Sequence, residues 1–401
     1  MKYLYCFNSH SDFYNKDMVL KDDNVVLCKD TDINKWHAHY HHPPYDAQIE
    51  YLECTGIQWI DPDYNSGNSS IISITAQLTS LTAQCRIIGN NSGYLEIYIN
   101  GSAKWGAASN GTTVNSNITA DTNVHIFKID NVANKAYSDN SSWNITHNGA
   151  SYYNKVGLFG RLNNNTGCTG KIYSARIYEG NTLIRDLIPV RVGTTGYMYD
   201  KISGRFFGNA GTGNFTLGQD IIPIEYIQST AKTQYINTGV KACMNKIRCV
   251  CDMAPMNTAD SAFFGSRGTY YLFYCVGSNY FWPISKCNTI NGTLQTNKKY
   301  HIDWNKGNFT LTGENGVYQQ GSRSNTTQDA NPMYIFNFNP IDNNSRYGNA
   351  KLYYFKIYVD DVLVRDFSPV RVGTVGYLFD KVNRQLYGNA GSGAFTLGPD
   401  I

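Results

Sequence analysis

Two stretches of this chain carry one sequence twice. Residues 187–221 read LIPVRVGTTGYMYDKISGRFFGNAGTGNFTLGQDI and residues 367–401 read FSPVRVGTVGYLFDKVNRQLYGNAGSGAFTLGPDI, identical at 21 of 35 positions with a constant offset of 180. A repeat of this length constrains the fold more than any local motif, because each copy must bury its own core. The copies also open alike: Ile49-Glu50-Tyr51-Leu52 answers Ile224-Glu225-Tyr226-Ile227, and Gln58-Trp59-Ile60-Asp61 answers Gln234-Tyr235-Ile236-Asn237. Between these ends only a skeleton matches. Val124-His125-Ile126 aligns with Tyr300-His301-Ile302, Lys171-Ile172-Tyr173 with Lys351-Leu352-Tyr353, and Arg185-Asp186 with Arg365-Asp366. The division that follows is an N-terminal segment, residues 1–46, then one module at 47–221 and a second at 222–401, joined at Ile222-Pro223 with almost no linker.

Inside a copy the periodicity is that of strands. Ile71–Leu78, Tyr94–Ile99, Val124–Ile129, Lys171–Tyr178 and Leu352–Tyr358 alternate with a period near two. Turn clusters such as Asn163-Asn-Asn-Thr-Gly and Asp342-Asn-Asn-Ser separate them, and Ser203-Gly204 reads as a hairpin turn. Composition agrees. Charged residues are only 16%, glutamate occurs six times, and 31 Tyr and 36 Gly take their place. Tyrosine suits a half-buried pleated surface and glycine a tight turn. No amphipathic helix is expected. The fold class is all-β: two tandem antiparallel β-sandwiches of jelly-roll type behind a short N-terminal segment.

Several classes of function are excluded. The net charge is +3 with no long run of like charge, so no nucleic-acid partner is expected. No apolar run reaches the roughly 18 residues of a membrane span. The opening MKYLYCFNSHSDFYNKDM lacks the apolar stretch of a secretory signal. The ten cysteines form no CxxC pair, and Cys249 and Cys251 have no cysteine counterparts in the first copy, so reduced thiols are expected.

The segments IEYLECTGIQWID and VRVGTTGYMYDKISGRFFGNAGTGNFTLG resemble a concanavalin A-like (laminin G-like) jelly-roll domain. That version recurs in virion proteins of bacteriophages of gut Bacteroidales, the crAss-like phages included, and in some bacterial surface proteins. The resemblance spans roughly residues 49–401. Val25–Thr31 also resembles a short strand segment that precedes such domains in phage structural proteins, which implies an attachment segment pairing with another virion chain. The glycines and aromatics of the closing motif read as fold maintenance, with Arg185-Asp186 as a partly buried ion pair. Function is therefore sought where the copies differ.

The residues bear on four chemistries. For glycoside hydrolysis two carboxylates must flank one bond; Glu96 and Glu179 are isolated, and no nucleophile elbow, phosphate loop or zinc-protease motif occurs, so the chain is expected not to be an enzyme. His37, His39 and His41 fall on one face of an extended segment and could hold a transition metal, against the plainer reading of a polar arm. Asp61-Pro-Asp63-Tyr-Asn65-Ser-Gly67 is similar to a calcium loop, but its glycine is one place late and Ile72 stands where the bidentate glutamate belongs, leaving calcium possible and no cofactor required. Carbohydrate binding is what the lectin-like resemblance implies. Sugars lay their C–H faces on aromatic rings while amides and carboxylates take the hydroxyls. Aromatics that differ between copies near Gly or Asn are the candidates: Trp105, Trp143, Tyr152 and Tyr153 in the first, and Tyr270, Tyr271, Tyr280 and Trp282 in the second.

The expected function is a bacteriophage virion structural protein, a head or tail fibre or decoration, presenting two lectin-like modules for host attachment through surface glycans. Residues 1–46 would bind other virion proteins, the chain would be a homo-oligomer within the particle, and it would be made in the host cytoplasm and released by lysis. The alternatives are a purely architectural virion subunit that binds no glycan, with the same aromatic surfaces contacting neighbouring subunits, and a bacterial surface adhesin.

Overall fold

A computed structural model describes residues 18–22, 25–29, 36–40, 43–90, 95–110, 112–146, 154–160, 167–257, 261–266, 271–276, 280–282, 287–289, 294–322, 324, 326–338 and 347–401. The chain separates into two compact units, Met1–Asp46 and Ala47–Ile401. In the first, Met18–Asp22, Val25–Lys29 and Trp36–Tyr40 form a three-stranded antiparallel sheet with Val25–Lys29 in the middle. His37 and His39 take alternate positions on the last of these strands, opposite Cys28 and Val26; His41 lies outside the described residues.

The larger unit holds both repeats, and every strand pair in it is antiparallel. In residues 47–221 a long sheet runs in the order Ser141–Asn144, Lys135–Ser138, Val124–Asp130, Ser70–Leu78, Thr169–Glu179, Thr182–Val192, Thr195–Asp200, Phe206–Phe207. A shorter sheet faces it in the order Thr112–Thr119, Lys104–Ser109, Leu95–Ile99, Arg86–Asn90, Asn154–Leu158, Asn65–Ser66. The core lies between the two. Ile72, Ile74, Phe127, Ile129, Ile172 and Ile177 come from the long sheet, and Ile88, Ile97, Val156 and Leu158 from the short one. Alternation accounts for this: in Ser70–Leu78 the even-numbered side chains are buried, and Ile71, Ser73 and Gln77 between them are half-buried on the outer face. No helix occurs among the described residues.

Residues 222–401 repeat the plan. Their long sheet runs Gly316–Ser322, Asn308–Gly313, Tyr300–Asn305, Ile247–Pro255, Ala350–Val359, Val362–Val372, Val375–Asp380, Gln385–Tyr387. Their short sheet, Ile236–Cys243, Gln328–Ile335, Ser261–Ser266, Tyr271–Val276, Tyr280–Trp282, follows the first module's order read from its Asn65–Ser66 end. A second core cluster, with Cys249, Cys251, Ile302, Trp304, Phe355 and Ile357, fills the space between. The chain is thus a tandem pair of β-sandwiches.

Register corrects one alignment. Ile172 faces Ala76, which faces His125; Leu352 faces Met253, which faces Tyr300. The structural counterpart of His125 is therefore Tyr300, and not His301 as the sequence match has it. A slip of one residue moves a side chain to the other face of a sheet. His125 accordingly lies inward against Trp105, and His301 outward beside Asp252.

The pair Arg185-Asp186 is also corrected. Neighbouring residues on a strand point to opposite faces, so they cannot pair with each other. Arg185 turns inward, 3.7 Å from the fully buried carboxylate of Asp200, and donates to the Pro62 carbonyl. Arg365 does the same with Asp380 and the Thr238 carbonyl. Asp186 turns outward and meets the second module.

There it receives Arg176 Nε at 3.2 Å and Arg384 at 2.7 Å. Arg176 continues to the Val382 carbonyl at 2.8 Å and the Lys381 carbonyl at 3.3 Å. The hairpin turn Lys381–Arg384 of the second module is thereby fastened to the outer face of the first module's long sheet. Arg384 has φ of 58°, and its counterpart in the first module is Gly204, with φ of 68°. A side chain in left-handed backbone costs about 1–2 kcal/mol. Both Arg384 and Asp186 have side chains only 11% exposed, and a hydrogen bond between charged groups contributes about 1.5–3 kcal/mol. Burial acts against this gain and holds the Arg384 guanidinium below its usual value despite Asp186 beside it, so the bridge fixes the turn's position more than it adds stability.

Candidate ligand-binding faces

The aromatics expected to bind sugar fall into three groups. Trp105 is a correction: it is fully buried in the first core, edge-on to Phe127 with ring centroids 4.8 Å apart, so it offers no face to a ligand. The strand Lys104–Ser109 carries it inward, opposite Ile99. Trp143 is half-buried on the edge strand Ser141–Asn144 and packs against the same core. Tyr152, Tyr153 and Tyr270 lie outside the described residues. Tyr271 opens the strand opposite Ser266, and Tyr280 and Trp282 face Val276 and Tyr274 on the strand that corresponds to that of Trp105.

What the fold does bring together is a set of tyrosines shared by both copies. On the outer face of the first long sheet, Tyr51 and Tyr173 meet edge to face at 5.8 Å, and the Lys171 ammonium lies 4.2 Å over the Tyr51 ring. Tyr226 and Tyr353 meet in the same way at 5.8 Å, with Lys351 at 4.6 Å over Tyr226. All four rings are half-buried.

A bulge lies at this point in both copies. Pairing shifts between Ile172 and Ser174 against Ser70–Leu78, and between Asp252 and Met253 against Ala350–Val359, so that Tyr173 and Tyr353 are the extra residues. An extra residue bends its strand and re-aims its side chain. Alternation already puts Lys171 and Tyr173 on the outer face, on either side of the core residue Ile172; the bulge shifts the parity of the strand after them, so that Ala175 and Ile177 enter the core and Arg176 points outward. The sequence signal was present, since Tyr51/Tyr226 and the Lys-x-Tyr segments recur in both copies. A search confined to aromatics that differ between copies passes over them.

Polar groups rim each face, and differently. In the first, Tyr173 donates to Gln77 Oε1 at 3.0 Å, and burial, followed by the nearby Glu50, Tyr51 and Glu53, pushes its hydroxyl up to about 12. In the second, Lys299 lies 4.4 Å over Tyr353 and 3.5 Å from Asp252, while His301 Nδ1 is 2.9 Å from Asp252 and 3.1 Å from the Tyr354 hydroxyl. Lys351 donates to Asn297 at 3.0 Å. Burial and the carboxylate of Asp252 hold the Tyr354 hydroxyl well above the ordinary tyrosine range. Such faces combine apolar ring surface with donors and acceptors at its edge, which is what a sugar requires.

The other weighed groups are engaged elsewhere. In the segment similar to a calcium loop, Lys155 lies 3.3 Å from Asp61 and 3.5 Å from Asp63, Arg205 is 3.2 Å from Asp63, and Arg185 takes the carbonyls of Pro62 and Asp63. Cations thus already neutralise the oxygens that a metal would need. Among the described residues no group of three or more histidine, cysteine or acidic side chains converges on a metal position. Glu96 pairs with Arg86 at 3.4 Å, and Glu179 accepts hydrogen bonds from Tyr64 and Ser69. Cys54, Cys85, Cys168, Cys243, Cys249 and Cys251 are buried thiols, not joined in disulfides. Among the described residues no helix is long and apolar enough to cross a membrane.

No family model and no curated protein sequence matches the chain. Among solved structures, the mouse laminin alpha1 chain, domains LG4-5, is similar with a TM-score of 0.27 and 10% identity, over 79% of this chain and 90% of that one. A Bacteroides ovatus ATCC 8483 protein classed provisionally as carbohydrate-binding is similar with a TM-score of 0.31 and 11% identity, over 84% of this chain and 90% of that one. The fold assignment rests on the strand order and register of this chain itself.

Proposed function

We propose that the chain is a non-catalytic glycan-binding protein, and that the outer face of each module's long sheet is a binding face centred on a bulged tyrosine. The observation that carries this reading is the recurrence of the outward tyrosine pair beside a bulge, Tyr173 with Tyr51 and Tyr353 with Tyr226, in modules whose middles share little sequence. Core packing alone gives no reason to keep such an outward pair at the same place twice. Lys171, Gln77 and Glu53 around the first face, and Lys299, Lys351, His301 and Gln228 around the second, supply the hydrogen bonds. Binding needs no cofactor in this reading.

In its finer form the proposal makes the chain a bacteriophage virion component, a fibre or decoration whose residues 1–46 attach it to other virion proteins, oligomeric in the particle and released by host lysis. The support for that form is the resemblance of the two signature segments. Immunogold labelling of purified particles with an antibody to residues 47–401 tests it: labelled heads or tails support it, and unlabelled particles beside a labelled bacterial surface sink it.

The binding itself is tested on the full chain with a glycan array and with host capsule. Saturable binding is expected, weakened about tenfold by Tyr173→Ala or Tyr353→Ala and abolished by both. A lost stacking ring is worth on the order of 1 kcal/mol, and two faces engaged together add avidity. EDTA is expected to change nothing. Undiminished binding in the double variant would remove these faces from the site.

A further inference from the structure

The two faces are not equivalent, because the second module is fastened beside the first module's face, and among the described residues of 47–401 no turn is fastened likewise beside the second's. Tyr173 and Arg176 lie on the same strand and both point outward, the bulge restoring the parity that a spacing of three would break. At roughly 3.3 Å per residue they are about 10 Å apart along the strand. Arg176 holds the carbonyls of Val382 and Lys381, and Asp186 holds Arg384, so the turn Lys381–Arg384 is fixed about that far from the tyrosine pair. Ile188, the next outward residue after Asp186, is only 2% exposed and belongs to neither module's core cluster, whereas its counterpart Ser368 is half-exposed.

We propose that the turn Lys381–Arg384 is a wall of the first module's binding face, so that this face takes an extended stretch of glycan chain running from the Tyr51–Tyr173 pair toward the second module. The second face, beside which no such turn lies among the described residues of 47–401, takes a terminal sugar or a branch. The inference rests on the proposed glycan binding. Arg384 is a positioning residue in it, acting through the turn it anchors. The turn carries the polar side chains Lys381 and Asn383, of which Lys381 is exposed and able to donate to a sugar hydroxyl or ring oxygen.

Two measurements test it in the full chain. Arg384→Gly restores the residue that the first module has at this left-handed position, so the turn keeps its shape while the bridge is lost; Asp186→Asn removes the bridge from the other side. With Tyr353→Ala silencing the second face, either variant is expected to weaken binding of long oligosaccharides about tenfold and to leave mono- and disaccharide binding unchanged. With Tyr173→Ala silencing the first face, neither variant should matter. Equal affinity for long chains with and without the bridge overturns the wall. The second measurement uses no ligand: nitration of Tyr173 by tetranitromethane, followed by mass spectrometry with Tyr353 as internal reference. Release of the turn is expected to raise the nitration rate of Tyr173 several-fold and leave that of Tyr353 alone. An unchanged Tyr173 rate overturns the inference even if no glycan binds, whereas absence of binding with an altered Tyr173 rate removes the proposed function and keeps the wall.

Discussion

The two modules share a strand order, a pair of tyrosine ladders and a closing motif, yet they treat the same outer strand differently. In the first, Asp186 and Ile188 are buried on that strand, Asp186 against Arg384 of the neighbouring module; in the second, Asp366 and Ser368 are half-exposed. Sequence follows coverage: isoleucine where the strand is covered, serine where it is open. The docking turn shows the converse. Gly204 occupies the left-handed position where the turn is exposed, Ile202 beside it at 54%, and Arg384 occupies it where the turn is bound. Duplication supplied two equal modules, and contact between them made each specific to its place in the pair.

Substitutions that exchange features between the copies break or sharpen this contrast. The largest effect is expected from Trp105→Ala, which empties the first core. Loss of a buried tryptophan costs about 3–5 kcal/mol, and in a module of this size that lowers its melting midpoint by on the order of 10 °C. Calorimetry of the full chain should show the low-temperature side of the transition move while the second module's part stays; a uniform shift would mean that the modules unfold as one.

Next is Ile188→Ser against Ser368→Ile. The first removes a covered apolar side chain and should destabilise the chain by about 2 kcal/mol. The second adds one to an open strand and should fall within about 0.5 kcal/mol of the parent. Urea titration of both variants measures the difference, and equal effects would show that module contact does not cover Ile188.

A smaller, pH-dependent effect belongs to the first module alone. His125 has Asp139 at 2.6 Å on Nδ1 and Asp121 at 2.8 Å on Nε2. The hydrogen bond to Asp139, against the effect of burial, raises the histidine above its usual value, and both aspartates are held below theirs. A raised folded value means that this stabilisation is complete below the unfolded histidine pKa of about 6.5 and is lost as pH rises through the folded one. The aspartates act in the opposite sense: their contribution is present above about pH 4 and fades as pH falls through their lowered values. The first module should therefore lose about 1 kcal/mol on the alkaline side, while Tyr300, in the same position of the second, gives no such loss near neutrality. Hydrogen exchange of Val124–Asp130 and Tyr300–Asn305 at pH 6 and 9 follows the two separately, and parallel curves would contradict the assignment. The smallest expected change is Gly204→Ala, about 1 kcal/mol from left-handed backbone with no compensating bridge.

Much of the architecture could be read directly from the chain, because identity over 35 positions and a strand period of two are both insensitive to small errors. Register is not. Placing His125 opposite His301 is a miss of one residue, and in a sheet one residue exchanges inside for outside. The same sensitivity hid the site. Trp105 stands near glycines as a surface ring would, but the parity of its strand turns it inward. The outward aim of Tyr173 was legible in the alternation Lys171-Ile172-Tyr173, whereas the parity change that follows it, which turns Arg176 outward, depends on a bulge that leaves no residue signature. Reading Arg185-Asp186 as a pair overlooked that adjacent strand residues diverge, and it was their divergence that gave one to the core and the other to the neighbouring module.

Each module's end returns to its beginning. Asp220 bridges to Ile49 and Asp400 to Ile224, and each aspartate is gripped by both arms of an arginine, Arg191 at 2.7 and 2.6 Å and Arg371 at 2.7 and 2.6 Å. Entry and exit therefore share one point on the surface of the sandwich. A module so closed behaves as a cassette: it can be copied in line without a spacer, and its own termini could be fused and reopened in a loop on the far side with little disturbance to the core. The abrupt joint at Ile222-Pro223 then follows from geometry, since a chain leaving one module is already where the next must start.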